Sequence, residues 1–192
     1  NGRGTVIEEH ASVTALAVSI QGLGTFAARH GTAALAEWLD GTMEAFEAKA
    51  EGLPVRLHWE GGATLMVTAG TAAEAEERPE VIAELALRLR DEAEARAAEP
   101  LRVGIGIHSG SAVSALVDAE RVVYGVWGEA PDVAREIASR CPAGAAYVSP
   151  AAYAALHEAF AFEARGIMET ASRTQMRVYA LVGRREAPAA QG

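Results

Sequence analysis

The stretch Leu101-Arg102-Val103-Gly104-Ile105-Gly106-Ile107-His108-Ser109-Gly110-Ser111-Ala112-Val113-Ser114-Ala115-Leu116-Val117 decides how this chain is read. Apolar residues run from Leu101 to Ile107, Ser109-Gly110 supplies turn chemistry, and Ser111 to Val117 reads as a returning strand, which predicts a hairpin. Tyr124-Gly125-Val126-Trp127-Gly128 then reads as a short loop feeding a helix. Pro131 suits a first helical position, and Glu129 and Asp132 place negative charge near the helix's positive end. Gly104-Ile105-Gly106 lies inside a strand, so it predicts close backbone packing rather than a dinucleotide fingerprint.

Upstream, Val13-Thr14-Ala15-Leu16-Ala17-Val18-Ser19-Ile20 is an apolar run of strand length ended by Gln21-Gly22. Its continuity predicts burial on both faces and a central place in a sheet. Leu35, Trp38, Leu39, Thr42, Met43 and Phe46 recur at helical spacing, so a helix is expected from about Thr32 to Ala50. Val55 to Trp59 and Ala63 to Thr68 flank Glu60-Gly61-Gly62 as a second hairpin. A long helix follows, with Val81, Ile82, Leu85, Ala86 and Leu89 on one face and Pro79 in its first turn. Beyond the helix at Pro131 to Arg140 come a strand at Ala145 to Val148, a short helix from Pro150 to His157, and strands around Phe160 to Ala164 and Met176 to Val182. Residues 1–12 are expected as a linker or lead-in, 13–182 as one domain, and the Ala/Pro-rich tail 183–192 as disordered.

The chain has 192 residues, half of them hydrophobic, enough for one real core. A net charge of -9 and the lack of a basic run argue against nucleic acid or an anionic membrane as main partner. No apolar run reaches the roughly 18 residues that span a bilayer, and no leader opens the chain, which suggests a cytoplasmic piece. An upstream membrane or sensor domain stays open, because Asn1 is an unusual start. Cys141 is alone, so no internal disulfide forms, and a small half-buried packing residue is the simplest reading. His10, His30, His58 and His157 show no metal spacing, and Glu74-Ala75-Glu76-Glu77 reads as a solvated face.

Strand, helix, two strands, helix, strand is the order of an α+β fold with a ferredoxin-like βαββαβ core, here with C-terminal additions. The Ile107-His108-Ser109-Gly110 turn, and the Tyr124-x-x-x-Gly128 loop leading into a helix, resemble the catalytic domain of class III nucleotidyl cyclases, the adenylate and guanylate cyclases. The resemblance covers about Val13 to Val182 and is sharpest from Gly106 to Ala134. It implies the class III nucleotidyl cyclase-like fold and a head-to-tail dimer with sites at the seam.

The resemblance also implies a site, and the chain departs from it. The family holds two divalent ions on aspartates, since hard cations want carboxylate oxygens. The first aspartate falls on Ser19, a neutral hydroxyl. The second falls on Glu60 or Gly61. The family's base-reading lysine falls on Arg56, a planar fork rather than a point charge, and the polar residue after the loop tyrosine falls on Gly125. The asparagine and transition-state arginine of the following helix fall on Asp132 and Glu136. An acidic pair there opposes a triphosphate by about 4 kcal/mol per contact at about 4 Å and an effective dielectric near 20. Arg135 lies about 100° around the helix, a poor substitute. His108 is expected to be structural. Tyr124 and Trp127 are expected to pack, and at a dimer seam to bind as well.

The expected function is therefore a degenerate, inactive cyclase-like domain that regulates or dimerises in signalling, as a homodimer or with another cyclase-like domain. No cofactor and no metal site are expected. Two alternatives stand beside it: an active adenylate or guanylate cyclase using Mg or Mn, with a divergent metal site or a completing partner, and a non-catalytic small-molecule binding module.

Overall fold

Two long antiparallel strands carry the molecule. In the computed structural model, which describes residues 6–61, 63–71, 78–118, 122–171 and 174–185, β1 (Val6–Gln21) pairs with β4 (Arg102–Asp118) from Val6↔Leu116 to Gln21↔Arg102. The register shifts once, between His10 and Val13. This ladder overturns the hairpin expected at Ser109-Gly110. There, β4 continues straight, with Thr14 opposite Ser109 and Val13 opposite Gly110. A 16-residue partner strand lying alongside supplies the main-chain bonds, and that ladder outweighs the local turn chemistry. The chain returns later, into β5 (Val122–Trp127), which pairs with β4. The connecting residues 119–121 lie outside the described residues.

The helical layer begins with α1 (Leu23–His30), which sequence reading missed, and α2 (Thr32–Ala50), which it placed. They are separated at Gly31, whose φ of 89° a residue with a side chain rarely adopts. β2 (Arg56–Glu60) and β3 (Thr64–Ala69) form the expected hairpin, and α3 (Pro79–Ala95) starts on Pro79 as expected. α4 (Glu129–Arg140) begins two residues before Pro131, β6 (Ala146–Val148) runs parallel to β4, and α5 (Pro150–Leu156) follows. β7 (Phe160–Glu169) and β8 (Gln175–Arg184) are longer than expected, and their hairpin ends the sheet. The sheet order is β2-β3-β1-β4-β6-β8-β7, with β5 joined to β4. Its first four strands have the ferredoxin-like arrangement, so the α+β fold stands.

β1 is strand from Val6, so the lead-in expected over residues 1–12 belongs to the ladder from there on. β8 likewise takes in Gly183 and Arg184 of the expected tail. Residues 1–5, 186–192 and the Glu74–Glu77 run lie outside the described residues.

Alternation along β1 divides the core. Leu16, Val18 and Ile20 face α2 and α3 and pack with Phe46, Ile82, Leu85 and Leu89. Val13, Ala15 and Ala17 face α4 and pack with Met66, Ala130, Ala134 and Ala138. Burial on both faces makes β1 the central strand its apolar run predicted. Small residues on the α4 side let helix and sheet approach closely. A Cβ on Gly106 would stand 2.3 Å from the carbonyl oxygen of Ala134, and one on Gly104 2.3 Å from that of Ala138. The two glycines therefore fix the position of α4 over the strand ends.

Candidate active site

The α4 face of the sheet collects the polar residues. Because strand side chains alternate, Arg56, His58 and Glu60 share one face of β2. Through the pairs His58↔Met66 and Met66↔Ala17, this is the face that α4 covers. Ser19 continues the Ala15, Ala17 row and lies opposite Thr64 and Gly104. An open cleft of about 520 Å³ is lined by Ser19 and Thr64 from the sheet, Asp132, Arg135, Glu136, Ser139 and Arg140 from α4, and Ala171. Three of the expected positions, Ser19, Asp132 and Glu136, thus meet in one cleft.

Glu60 joins them through Arg135. Arg135 Nε donates to Glu60 Oε2 at 2.7 Å and Nη2 to Oε1 at 2.8 Å, while Nη1 donates to Asp132 Oδ1 at 2.6 Å. His58 Nε2 lies 3.0 Å from Glu60 Oε1. Burial alone would raise the Glu60 carboxyl, but the hydrogen bonds and charges of Arg135 and His58 prevail and hold it at about 2. The same hydrogen bonds to Glu60 push Arg135 above its ordinary value against the opposing effect of burial. Direction on the helix alone makes Arg135 a poor substitute. Its long stem reaches across to β2. His58 has no histidine partner at metal spacing, but its i, i+2 relation to Arg56 and Glu60 places it on their face.

The acidic pair is compensated more fully than its sequence suggests. Asp132 is bonded by Arg135, and Glu136 lies 3.3 Å from Arg140 and accepts from the backbone N–H of Ala171. With Glu60, three carboxylates face two guanidiniums, so these paired groups leave one negative charge in excess.

The expected base-reading residues lie apart from this cleft. Arg56 is stacked over the Tyr124 ring, 5.1 Å from its centroid, and lines a separate pocket of about 180 Å³ with Glu8, Thr71, Ser114 and Tyr124. Gly125 alternates to the other face of β5, where the Trp127 ring covers it. His108 is buried, with Nδ1 2.7 Å from Ser149 Oγ, the hydroxyl that caps α5. Burial lowers its basicity against the opposing charge of Glu129, in keeping with a structural role. Cys141 is buried rather than half-buried, and burial pushes its thiol up to about 11.

The residues present do not suit a two-metal centre. Ser19 brings no charge, both Glu60 oxygens are engaged, and Asp132 is bonded to the same guanidinium. Among the described residues no three His, Cys, Asp or Glu side chains converge as ligands. No described helix is long and apolar enough to cross a membrane.

Residues 5–183 match the model of the adenylate and guanylate cyclase catalytic domain, and the chain belongs to this family. An adenylate cyclase of Mycobacterium tuberculosis is 24% identical over 188 residues, covering 96% of this chain and 42% of that protein. The chain therefore spans about two fifths of that relative's length. Among solved structures, the guanylate cyclase domain of a protein from Catenaria anguillulae, in complex with GTP, superimposes with a TM-score of 0.83 at 18% identity, covering 93% of this chain and all of that one. A dimeric guanylyl cyclase domain from Blastocladiella emersonii gives 0.81 at 19%, covering 93% and 99%. At these identities the structural likeness speaks for the fold.

Proposed function

We propose that this domain keeps the cyclase fold, has lost its own turnover, and acts by pairing with a second cyclase-like domain, a copy of itself or a related chain. The observation that carries this is the cleft wall. The family resemblance sets a metal ligand, an asparagine and an arginine against Ser19, Asp132 and Glu136, and Glu60, the carboxylate it offers beside Gly61 for the second metal position, is bonded by Arg135. Pairing is supported by exposed apolar side chains at the end of the β1, β4 and β5 arm. Val6 and Leu116 on one face of the arm, and Ile7 and Trp127 on the other, are 53%, 40%, 65% and 51% exposed, apolar surface of the kind that marks interfaces. The guanylyl cyclase domain from Blastocladiella emersonii, a non-canonical dimer, has the same fold.

An active adenylate or guanylate cyclase completed by a partner is the second reading. The open cleft of about 520 Å³ with Arg140 on its wall favours it, since family sites form at the seam between domains. A non-catalytic nucleotide binder would use the same space. Purified domain incubated with ATP or GTP and manganese is expected to form no cyclic nucleotide above a heat-killed control. Product formation would overturn inactivity. Sedimentation across concentrations is expected to show reversible self-association, and a strict monomer would leave the pairing role to a different chain.

A further inference from the structure

The Arg135 guanidinium spends four of its five N–H donors within the domain. Besides the two bonds to Glu60 and one to Asp132, its Nη2 donates to the Val126 carbonyl at 3.3 Å, so all three nitrogens have acceptors. Its side chain is 28% exposed, and its helix is locked to β4 by the backbone contacts at Gly104 and Gly106. A planar fork binding a carboxylate through two parallel hydrogen bonds is strong and geometrically selective. Magnesium-like ions hold their water tightly and need unshared carboxylate oxygens, whereas here an approaching ion meets a fixed positive charge on both acids.

We infer that Arg135 is a tethered cation that has replaced a diffusible divalent ion at the Glu60 corner, so that the domain holds its α4 to β2 connection without metal. The inference rests on reading Glu60 as the family's metal position. It adds that the position stays cation-competent and is already filled. Guanidinium and divalent ion are then alternatives for one place: removing the first makes room for the second.

The test uses the full 192-residue chain, stripped of metal, as wild type and as Arg135→Ala. Added manganese should leave the thermal midpoint of the wild type unchanged and raise that of Arg135→Ala by about 2–4 °C, as for a ligand at about five times its dissociation constant. A wild-type shift equal to the variant's would show that a diffusible ion reaches Glu60 past Arg135 and overturn the inference. Absence of a shift in both would overturn it too, because the corner would then hold no cation but a guanidinium. Should Arg135→Ala fail to fold, the wild type decides through the NMR signal of the Arg135 Nε–H. That signal should broaden with manganese no more than those of arginines remote from the cleft, and selective broadening would overturn the inference. Cyclic nucleotide assayed in the same samples separates the two proposals: product alongside an unbroadened Arg135 sinks the loss of turnover and leaves the tethered cation standing.

Discussion

The Trp127 indole lies where a side chain at Gly125 would begin: a Cβ there would stand 2.4 Å from Cη2 and 2.6 Å from Cζ2 of the ring. The ring is half exposed, so it can swing out into solvent when displaced. Gly125→Asp, which returns a polar group to the position after Tyr124, is therefore expected to fold. Its cost should be about 1 kcal/mol from the lost apolar cover. Tryptophan emission should shift to the red as the indole becomes solvated. An unchanged spectrum would mean that the ring does not cover Gly125 in solution.

Gly106→Ala makes the opposite case, because the atoms in the way belong to backbone. The new methyl would meet the Ala134 carbonyl oxygen at 2.3 Å and the Ala138 nitrogen at 2.5 Å, and α4 must move as a body. Overpacking of this kind costs about 3 kcal/mol, and urea unfolding should show it. Because α4 carries Arg135, the same variant should weaken the contact with Glu60, visible as faster exchange of the Arg135 Nε–H.

Glu60 predicts a pH dependence. Its folded carboxyl sits at about 2, below the ordinary carboxylate range of an unfolded chain. A depressed value stabilises the fold above the unfolded value, and that stability is lost as pH falls from the ordinary range through about 2. Allowing for a side chain 27% exposed, the amount is about 2 kcal/mol. Glu60→Gln should be less stable than wild type at neutral pH, with the gap closing on acidification. A gap that stayed constant down to about pH 2 would show that the carboxylate gains nothing from Arg135 and His58.

Ser19→Asp, Asp132→Asn and Glu136→Arg combined move the cleft two charges toward positive and restore the residue types that the family resemblance calls for. Triphosphate affinity, measured by calorimetry with ATP or GTP and manganese, is expected to rise about tenfold, the equivalent of about 1.4 kcal/mol. Arg140 loses its Glu136 partner in this variant, so a small loss of stability should accompany the gain. Flat or weaker binding would mean that these three positions do not correspond to the family's.

The elements that could be read from the chain are those whose pattern and packing agree. Val13 to Ile20 reads as a central strand because its run is apolar on both faces apart from Thr14 and Ser19, and it is buried on both. α2 and α3 carry helical spacing over several turns, and Gly104 and Gly106 predicted close backbone packing, which the structure shows to be with α4. α1 escaped because eight residues with Gly24 inside leave too short a period to see. Ser109-Gly110 misled because turn chemistry is local, whereas the strand that straightened it lies about a hundred residues earlier.

The composition of the candidate site was legible in the same way, and its wiring was not. The residue types at Ser19, Asp132 and Glu136, which share the cleft, are properties of the sequence, whereas Gly125 lies apart from it. That Arg135 spans from α4 to Glu60, that Glu136 is held by Arg140 and Ala171, and that Arg56 stacks on Tyr124 were decided only in three dimensions. The physical reason is reach. A helical wheel gives the direction in which a side chain leaves its own axis, but a long flexible cation binds whichever carboxylate the neighbouring strand brings within its length, and only the assembled sheet fixes which one that is.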